Sequence, residues 1–406
     1  MKIENKLKLN LNNDTELLLF KYLWIIIIMP KFAQFFIYFF VCINACFKQK
    51  LYLDKSMIFI IIGILSQGIA IMTQVVLYDV DKIRLMAALN TLLIWIISIF
   101  LYSISKHKLI NIEYILKISK YMCINSCILF VVYLFSLIYP YNVVSFFNYS
   151  LTLKRYDYLS TGVTTRFCGF METVLCIGHF FCMAYPLSLL YVNTWKRNFF
   201  KILFSIMSFI PVIACHSRIS LVICSIILCI ELYYLCYTNC KKYIKIINLI
   251  IILIIIFCIV YCLINIYDIL NIFQNLFNSR QGSNSARFLI YKKSIEKTLI
   301  ESPIIGIGIK YMLGDFPYGS HCTYIGLFYK SGLIGFICYL IGLFCIFRNL
   351  FLSTKNSKLV KFIPKAYIMY LLFLIFSDID ASNWVICSWF ILWGSIISFG
   401  INHKNI

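Results

Sequence analysis

The chain has 406 residues, of which 62% are hydrophobic and 13% charged, and its mean hydropathy is +0.88. A soluble domain is about 45–50% apolar and about 25% charged. Most of this chain therefore has lipid as its solvent, which excludes a soluble enzyme, a secreted disulfide scaffold and a DNA-binding factor. The formal net charge of +21 does not bring nucleic acid back as a partner. The Lys and Arg residues sit mostly in short segments between apolar runs, where positive loops set topology by staying cytoplasmic.

Twelve apolar runs follow one another, at 15–30, 32–47, 56–77, 83–104, 120–140, 169–191, 199–215, 219–237, 246–267, 321–347, 362–378 and 383–402. A membrane span takes about 20 such residues. The first two runs are separated only by Pro30-Lys31 and read either as one long kinked helix or as two spans. Two are preferred, because they leave the Lys-rich N-terminus and the 48–55 loop on the same side. Met1 to Glu16 is polar and no small-residue cleavage site follows the first run, so no cleavable signal peptide is expected. Lysine-rich loops at Lys48, Lys50 and Lys55, at Lys106, Lys108, Lys117 and Lys120, at Lys196, Arg197 and Lys201, at Lys241, Lys242 and Lys245, and at Arg348, Lys355, Lys358, Lys361 and Lys365 alternate as twelve spans require, with both termini cytoplasmic.

The expected fold is thus an all-α integral membrane protein of about 12 transmembrane helices with one long outer loop. Residues 1–267 carry helices 1–9, with a smaller outer loop at 141–168. Residues 268–320 form the large outer loop, and 321–406 carry helices 10–12. In the large loop Arg280, Arg287, Lys292, Lys293, Lys297 and Lys310 outnumber Asp268, Glu296, Glu301 and Asp315. Ser283-Asn284-Ser285 offers helix N-caps. Phe288, Tyr291, Ile295 and Leu299 follow at helical spacing, and Pro303 ends the pattern. An amphipathic helix is expected over 286–300, with Arg287 in its first turn, where free backbone N–H groups also attract anions.

The 18 cysteines lie mostly inside apolar runs. Cys42/Cys46, Cys123/Cys127, Cys236/Cys240 and Cys258/Cys262 are four apart and share helix faces, as small polarisable packing residues do. No C-x-x-C occurs, so no metal site and no cofactor are expected. Gly306-Ile-Gly308 lacks the third glycine of a dinucleotide fingerprint, and no P-loop, HExxH or nucleophile elbow is present.

Of the five histidines, His107 and His403 fall in cytoplasmic segments and His179 within a span, as a buried hydrogen-bonding residue. His216 and His321 fall on the outer side, together with Arg166, Arg218, Arg280 and Arg287. Arg218 sits in the tight His216-Ser217-Arg218 turn between two spans, a costly place for a charge without a partner or water. Four guanidinium groups and a histidine on one side suit a multiply charged anion, since guanidinium binds phosphate oxygens bidentately. Interfacial snorkelling is the competing explanation for each Arg taken singly.

SRQGSNSARFLIYKKS, then SPIIGIG, then GSHCTYIGLFYKSGLIGF, resemble the O-antigen polymerase and O-antigen ligase superfamily in its long outer loop and re-entry. The HSR turn at 216–218 resembles that family's Ser-Arg element, and TRFCGFMETVLC from Thr165 its Arg-and-Gly segment. About 110 residues carry the resemblance, in the family's order. Cys322 stands where the family often has an Asn after the re-entry histidine. The resemblance implies the fold of a lipid-linked-donor (GT-C type) glycosyltransferase in a bacterial plasma membrane. It also implies undecaprenyl-diphosphate-linked oligosaccharides as donor and acceptor, with a flippase and a chain-length regulator as companions.

The residues fit that chemistry without a metal. Arg280 and Arg287 are the first choice for binding the diphosphate, and Arg218 and Arg166 the second. His321 is the candidate general base, because an imidazole titrates near neutrality. Glu172 is an alternative base or a buried partner for an Arg. Tyr318 and Tyr324 are placed to stack on sugars, whereas Tyr329 reads as an interface residue. Three functions remain: a repeat-unit polymerase, which is favoured; a ligase using another acceptor; and a lipid-linked oligosaccharide flippase. A flippase is expected to place its charges within the spans and to have two similar halves. Here the charges gather in outer loops.

Overall fold

The computed structural model describes residues 14–48, 51–146, 149–159, 162–239, 281–314, 316–355, 357, 360 and 363–402. The apolar run expected at 246–267 and Arg280 lie outside them. The elements in chain order begin with α1 (Thr15–Lys21), α2 (Leu23–Ile28), α3 (Lys31–Lys48), α4 (Lys55–Leu77), α5 (Lys82–His107) and α6 (Ile112–Ile138). Strands β1 (Val143–Phe146), β2 (Tyr149–Thr152), β3 (Lys154–Leu159) and β4 (Gly162–Phe167) come next, followed by α7 (Leu175–Val192), α8 (Asn198–Ala214) and α9 (Arg218–Asn239). The last group is α10 (Gln281–Glu301), β5 (Met312–Leu313), β6 (Phe316–Pro317), α11 (Thr323–Thr354), α12 (Ile363–Phe373), a 3₁₀ turn at Ile379–Ala381 and α13 (Asn383–Asn402).

Helix starts follow side-chain chemistry. Asp54, Asp81 and Asn111 accept hydrogen bonds from backbone amides of the first turns of α4, α5 and α6, at 2.8, 3.1 and 2.9 Å, satisfying donors that a helix leaves unpaired. Seven helices among the described residues are long and apolar enough to cross a membrane: α3, α4, α5, α6, α7, α11 and α13. The run expected at 15–30 is two short helices broken at Tyr22. The run expected at 362–378 is helical only over 11 residues, because the chain leaves the helix after Phe373. The helix expected at 286–300 starts earlier, at Gln281.

Small residues set the packing, as they do where helices associate in lipid. α11 runs antiparallel to α4: Ser66 Oγ donates to Ser331 O at 2.8 Å, and Gly342 lies against Ile60. α13 packs on α5, with Gly394 against the Tyr102 carbonyl. The helices alternate in direction, so the bundle has two chemically distinct ends. One end collects Lys48, Lys106, Lys108, the 193–197 segment and Lys355. There Lys106 pairs with Asp54, and Lys108 pairs with Asp14 and with Glu16. The other end collects the hairpins, the 215–217 turn, residues 302–322 and the 374–382 segment.

Three antiparallel strand pairs at that second end, β5 with β6 among them, amend the all-α expectation. β1 pairs with β2, and β3 with β4, placing Arg155 opposite Arg166. The segments are rich in β-branched and aromatic residues, but a reading by hydropathy runs passes over strands this short. Among the large side chains buried in the bundle are Trp95, Trp384, Trp389 and Trp393.

α11 is broken at Gly332, where φ is 62° and ψ is −164°. The break removes the bonds that Leu333 and Ile334 N–H would make to Tyr329 and Lys330 O. The 303–308 segment replaces them. Leu333 N–H donates to Pro303 O at 2.9 Å and Ile334 N–H to Ile304 O at 3.2 Å. In return, Ile307 N–H donates to Tyr329 O at 2.8 Å and Gly308 N–H to Lys330 O at 3.0 Å. Irregular backbone at membrane depth persists only when its polar groups are satisfied in this way. Gly306 and Gly332 face each other so closely that a Cβ on either would collide with the other's backbone nitrogen.

Gly332→Ala therefore meets both a clash and a backbone conformation open essentially to glycine alone. It is expected to destabilise the protein by at least about 2 kcal/mol, read as a lower thermal midpoint in detergent. Gly68→Ala, with open space around the new methyl, serves as the control, and its midpoint should stay within error of the parent or rise. Equal midpoints for the two variants would contradict the stitched break.

Candidate functional site

At the second end, the chain between α10 and α11 is held by backbone and hydroxyl contacts. Ser294 Oγ, on α10, accepts from Gly319 N–H at 2.7 Å. Gly319 has φ 65°, and a side chain there would press on Tyr329. Tyr318 stacks on Tyr329 with ring centroids 5.7 Å apart, and Lys297 lies over the Tyr311 and Tyr318 rings. Tyr329 is thus a fully buried packing residue rather than an interface one. Tyr324 Oη donates to Leu371 O at 2.9 Å.

These contacts deliver His321 in a left-handed conformation, φ 67°, which is uncommon for a residue with a Cβ. Three contacts hold it. Its N–H donates to Asp378 Oδ2 at 3.3 Å, its carbonyl accepts from Tyr291 Oη at 2.8 Å, and its ring sits edge-on to Phe316 at 5.3 Å. Tyr291 lies one helical turn after Arg287, so α10 brings that guanidinium to the same place. Burial pulls the imidazole below its ordinary range. Arg287 and Lys310 push in the same direction, against the carboxylate of Asp378. A neutral imidazole is the form that accepts a proton.

Beneath His321 is a carboxylate pair that sequence reasoning missed. Lys310 Nζ lies 3.4 Å from Asp378 Oδ2. Lys330, buried in α11, pairs with Asp380, which also accepts from Trp95 Nε1 at 3.1 Å. Burial alone would raise the Asp380 carboxyl, but Lys330 and Lys310 outweigh it and hold it far below the usual carboxylate range. Burial likewise pulls the Lys310 ammonium down, and Asp378 and Asp380 together bring it above the usual lysine range. Two signals in the sequence pointed here: Lys330 inside a predicted span, and Asp378-Ile-Asp380 at a span's end. Ionisable groups at such depths are costly and mark function or a buried partner.

The 377–379 segment is fastened to the start of α11. Thr323 Oγ1 donates to Ser377 O at 2.6 Å and accepts from Ile379 N–H at 2.9 Å. Ser377 Oγ also lies 2.5 Å from His179 Nε2, while His179 Nδ1 is 2.7 Å from Tyr370 Oη. His179 is therefore the buried hydrogen-bonding residue its position in a span implied.

A second cluster forms around the 215–217 turn. Arg166, on β4, donates through Nε to Cys215 O at 3.1 Å, which ties the hairpin to the turn that leads into Arg218 at the head of α9. His216 takes φ 46° there. Ser217 Oγ and Ser220 Oγ are 2.9 Å apart, and Ser220 packs on Gly178, next to His179. Thus α7 packs between the cluster at the 215–217 turn and the one at His321.

Glu172 lies between α3 and α13. Its carboxylate accepts from Gln34 Nε2 at 3.2 Å, Ser382 Oγ at 2.7 Å and Trp384 Nε1 at 3.3 Å. These three neutral donors hold it as a fixed acceptor. Among the described residues, no group of three His, Cys, Asp or Glu side chains is placed to hold a metal ion.

Residues 202–340 match the family described as O-antigen ligase. Over that segment the chain is similar to the O-antigen ligase family. The match takes in 139 of the 406 residues, running from α8 through the first half of α11. Arg218, Arg287 and His321 fall inside it, whereas Arg166, Glu172, Asp378 and Asp380 fall outside. No curated protein matches the chain in sequence.

The charges around His321 predict a titration that can be read without any substrate. In histidine-selective NMR, the His321 ring should titrate below the ordinary value of about 6.5. Arg287→Gln, which removes a neighbouring cation, should raise the midpoint, and Asp378→Asn, which removes a carboxylate, should lower it. A midpoint unmoved in both variants would contradict this electrostatic arrangement.

Proposed function

We propose that the protein is a polysaccharide repeat-unit polymerase, a glycosyltransferase of the bacterial plasma membrane that takes undecaprenyl-diphosphate-linked glycans as donor and acceptor. What carries the reading is a half-buried, depressed imidazole at His321 beside the Arg287 guanidinium, inside a segment that matches the O-antigen ligase family. The lysine-rich end of the bundle would face the cytoplasm, which leaves His321, Arg287, Arg218 and Arg166 on the outer side, where lipid-linked repeat units are joined.

In this mechanism a hydroxyl oxygen of the acceptor sugar attacks the anomeric carbon of the donor glycan. The bond from that carbon to the diphosphate oxygen breaks, and its electron pair stays with the diphosphate. His321 accepts the hydroxyl proton. Arg287 and Arg280, and in second place Arg218 and Arg166, stabilise the charge on the leaving diphosphate. A single displacement inverts the anomeric centre. The Glu172 carboxylate already accepts from three donors, which makes it a better anchor between α3 and α13 than a base. A flippase is less well supported, because Lys330, a charge at membrane depth, is paired with Asp380. Ligase activity is the second reading, favoured by the family's description as O-antigen ligase.

His321→Ala should lower chain elongation by about 100- to 10,000-fold. In cells, single repeat units would still reach the surface while long chains disappear. Repeat units retained on the cytoplasmic leaflet would point to a flippase. Capped acceptor lacking even its first unit would point to the ligase, and long chains at normal abundance would remove His321 from the chemistry. Arg287→Lys should also be harmful although the charge is kept, because the planar fork is lost.

A further inference from the structure

We infer that Lys310 is a phosphate-contacting residue of this same site and that Asp378 is the counter-ion holding it in place. The inference rests on the diphosphate reading above and adds a cation from outside the arginine set. Three observations carry it.

The first is rigidity. Lys310 directly follows the segment stitched into the break of α11, with Gly308 N–H on Lys330 O and Ile309 fully buried. A Cβ at Gly308 would strike the backbone of α4 at Ala70 and Ile71. The backbone that carries the ammonium is therefore fixed before any ligand arrives, and a preorganised donor is worth most at a developing charge.

The second is room. Lys310 Nζ makes one long contact to Asp378 Oδ2, 3.4 Å, and the Lys310 side chain is 22% exposed. An ammonium has three donors. Beside it is Gly326, where a Cβ would meet Gly319 O at 2.7 Å and lie 3.6 Å from both Lys310 Nζ and Asp378 Oδ1, so the glycine lets the 319 carbonyl pack close to the ion pair. The room for a ligand is the exposed part of the ammonium, whose remaining donors point away from Asp378.

The third is charge balance. Lys310 and Arg287 reach His321 from two separate elements, the 302–311 segment and α10, and both disfavour its protonation. Around the imidazole stand Arg287, Lys310 and Lys330 against Asp378 and Asp380. Among the described residues, three cations against two carboxylates leave a net charge of one positive while His321 is neutral. Lys330 and Asp380 are spent on each other and on Trp95. An anion seated between Arg287 and Lys310 balances the remainder, beside the base.

A purely structural Lys310 would exist only to neutralise Asp378, and a double substitution separates the two roles. Farnesyl diphosphate is titrated into purified protein in lipid nanodiscs, comparing wild type, Asp378→Asn, Lys310→Met/Asp378→Asn and Lys310→Arg. Asp378→Asn alone keeps the cation. The double variant removes both charges together and so leaves no buried carboxylate unpaired. The double variant is expected to bind about tenfold more weakly than Asp378→Asn, the loss of one charge-assisted hydrogen bond, while its thermal midpoint matches that of Asp378→Asn. Lys310→Arg should retain most of the binding. Equal affinity in the double variant and Asp378→Asn would overturn the role of Lys310 and leave the diphosphate reading intact. Wild type that fails to bind farnesyl diphosphate at all would overturn the diphosphate reading and this inference with it.

Discussion

A helix broken inside an apolar bundle must give its freed amides and carbonyls new partners, because hydrocarbon offers none. In this protein the break at Gly332 is repaired by a loop from outside the helix. Pro303 and Ile304 supply carbonyls, and Ile307 and Gly308 supply amides, so that four backbone hydrogen bonds splice the 303–308 segment into α11. Each such bond contributes about 1 kcal/mol net in a soluble protein. The cost of leaving any of them unmade is several times larger here. The splice demands glycine at both contact points, since the two backbones approach too closely for a Cβ on either.

The repaired break decides where the charges sit. Lys330 is on the last turn before Gly332 and is buried, so it needs an acid at the same depth, and the 3₁₀ turn at Ile379–Ala381 brings Asp380 to it. That turn also carries Asp378 to the mouth of the site, where it holds the His321 backbone and the Lys310 ammonium at once. Asp378 and Asp380 thus divide the work: one neutralises a structural lysine, and the other meets the groups around the imidazole. The early end of α12 after Phe373 is what frees the chain to make this turn.

The outer elements are tied to the same frame. α10 contributes Ser294 to Gly319 and Tyr291 to the His321 carbonyl, which fixes the helix that carries Arg287. The β3–β4 hairpin reaches the 215–217 turn through Arg166 and Cys215 O. On the other side of α7, His179 holds Ser377, and Ser377 O accepts from Thr323 at the head of α11.

Hydropathy and loop charge in the amino-acid sequence determined that this is a multi-pass helical membrane protein, and the order of the Arg, Ser-Arg and His motifs carried its resemblance to the O-antigen polymerase and ligase superfamily. Local signals sufficed for these, because span length, interfacial charge and N-cap chemistry are properties of neighbouring residues. SPIIGIG was visible as a motif, but its role as a splice is not, since its partners lie more than 20 residues away in α11. Asp378 and Asp380 looked like the ordinary end of a span. Only the tertiary structure placed them against Lys310, Lys330 and His321, from segments about 50 to 70 residues apart. It alone also folded residues 143–167 into hairpins, where strands of four to six residues are too short to register against the apolar runs around them. Pairing of buried charges is a long-range energy, and no window along the chain contains both partners.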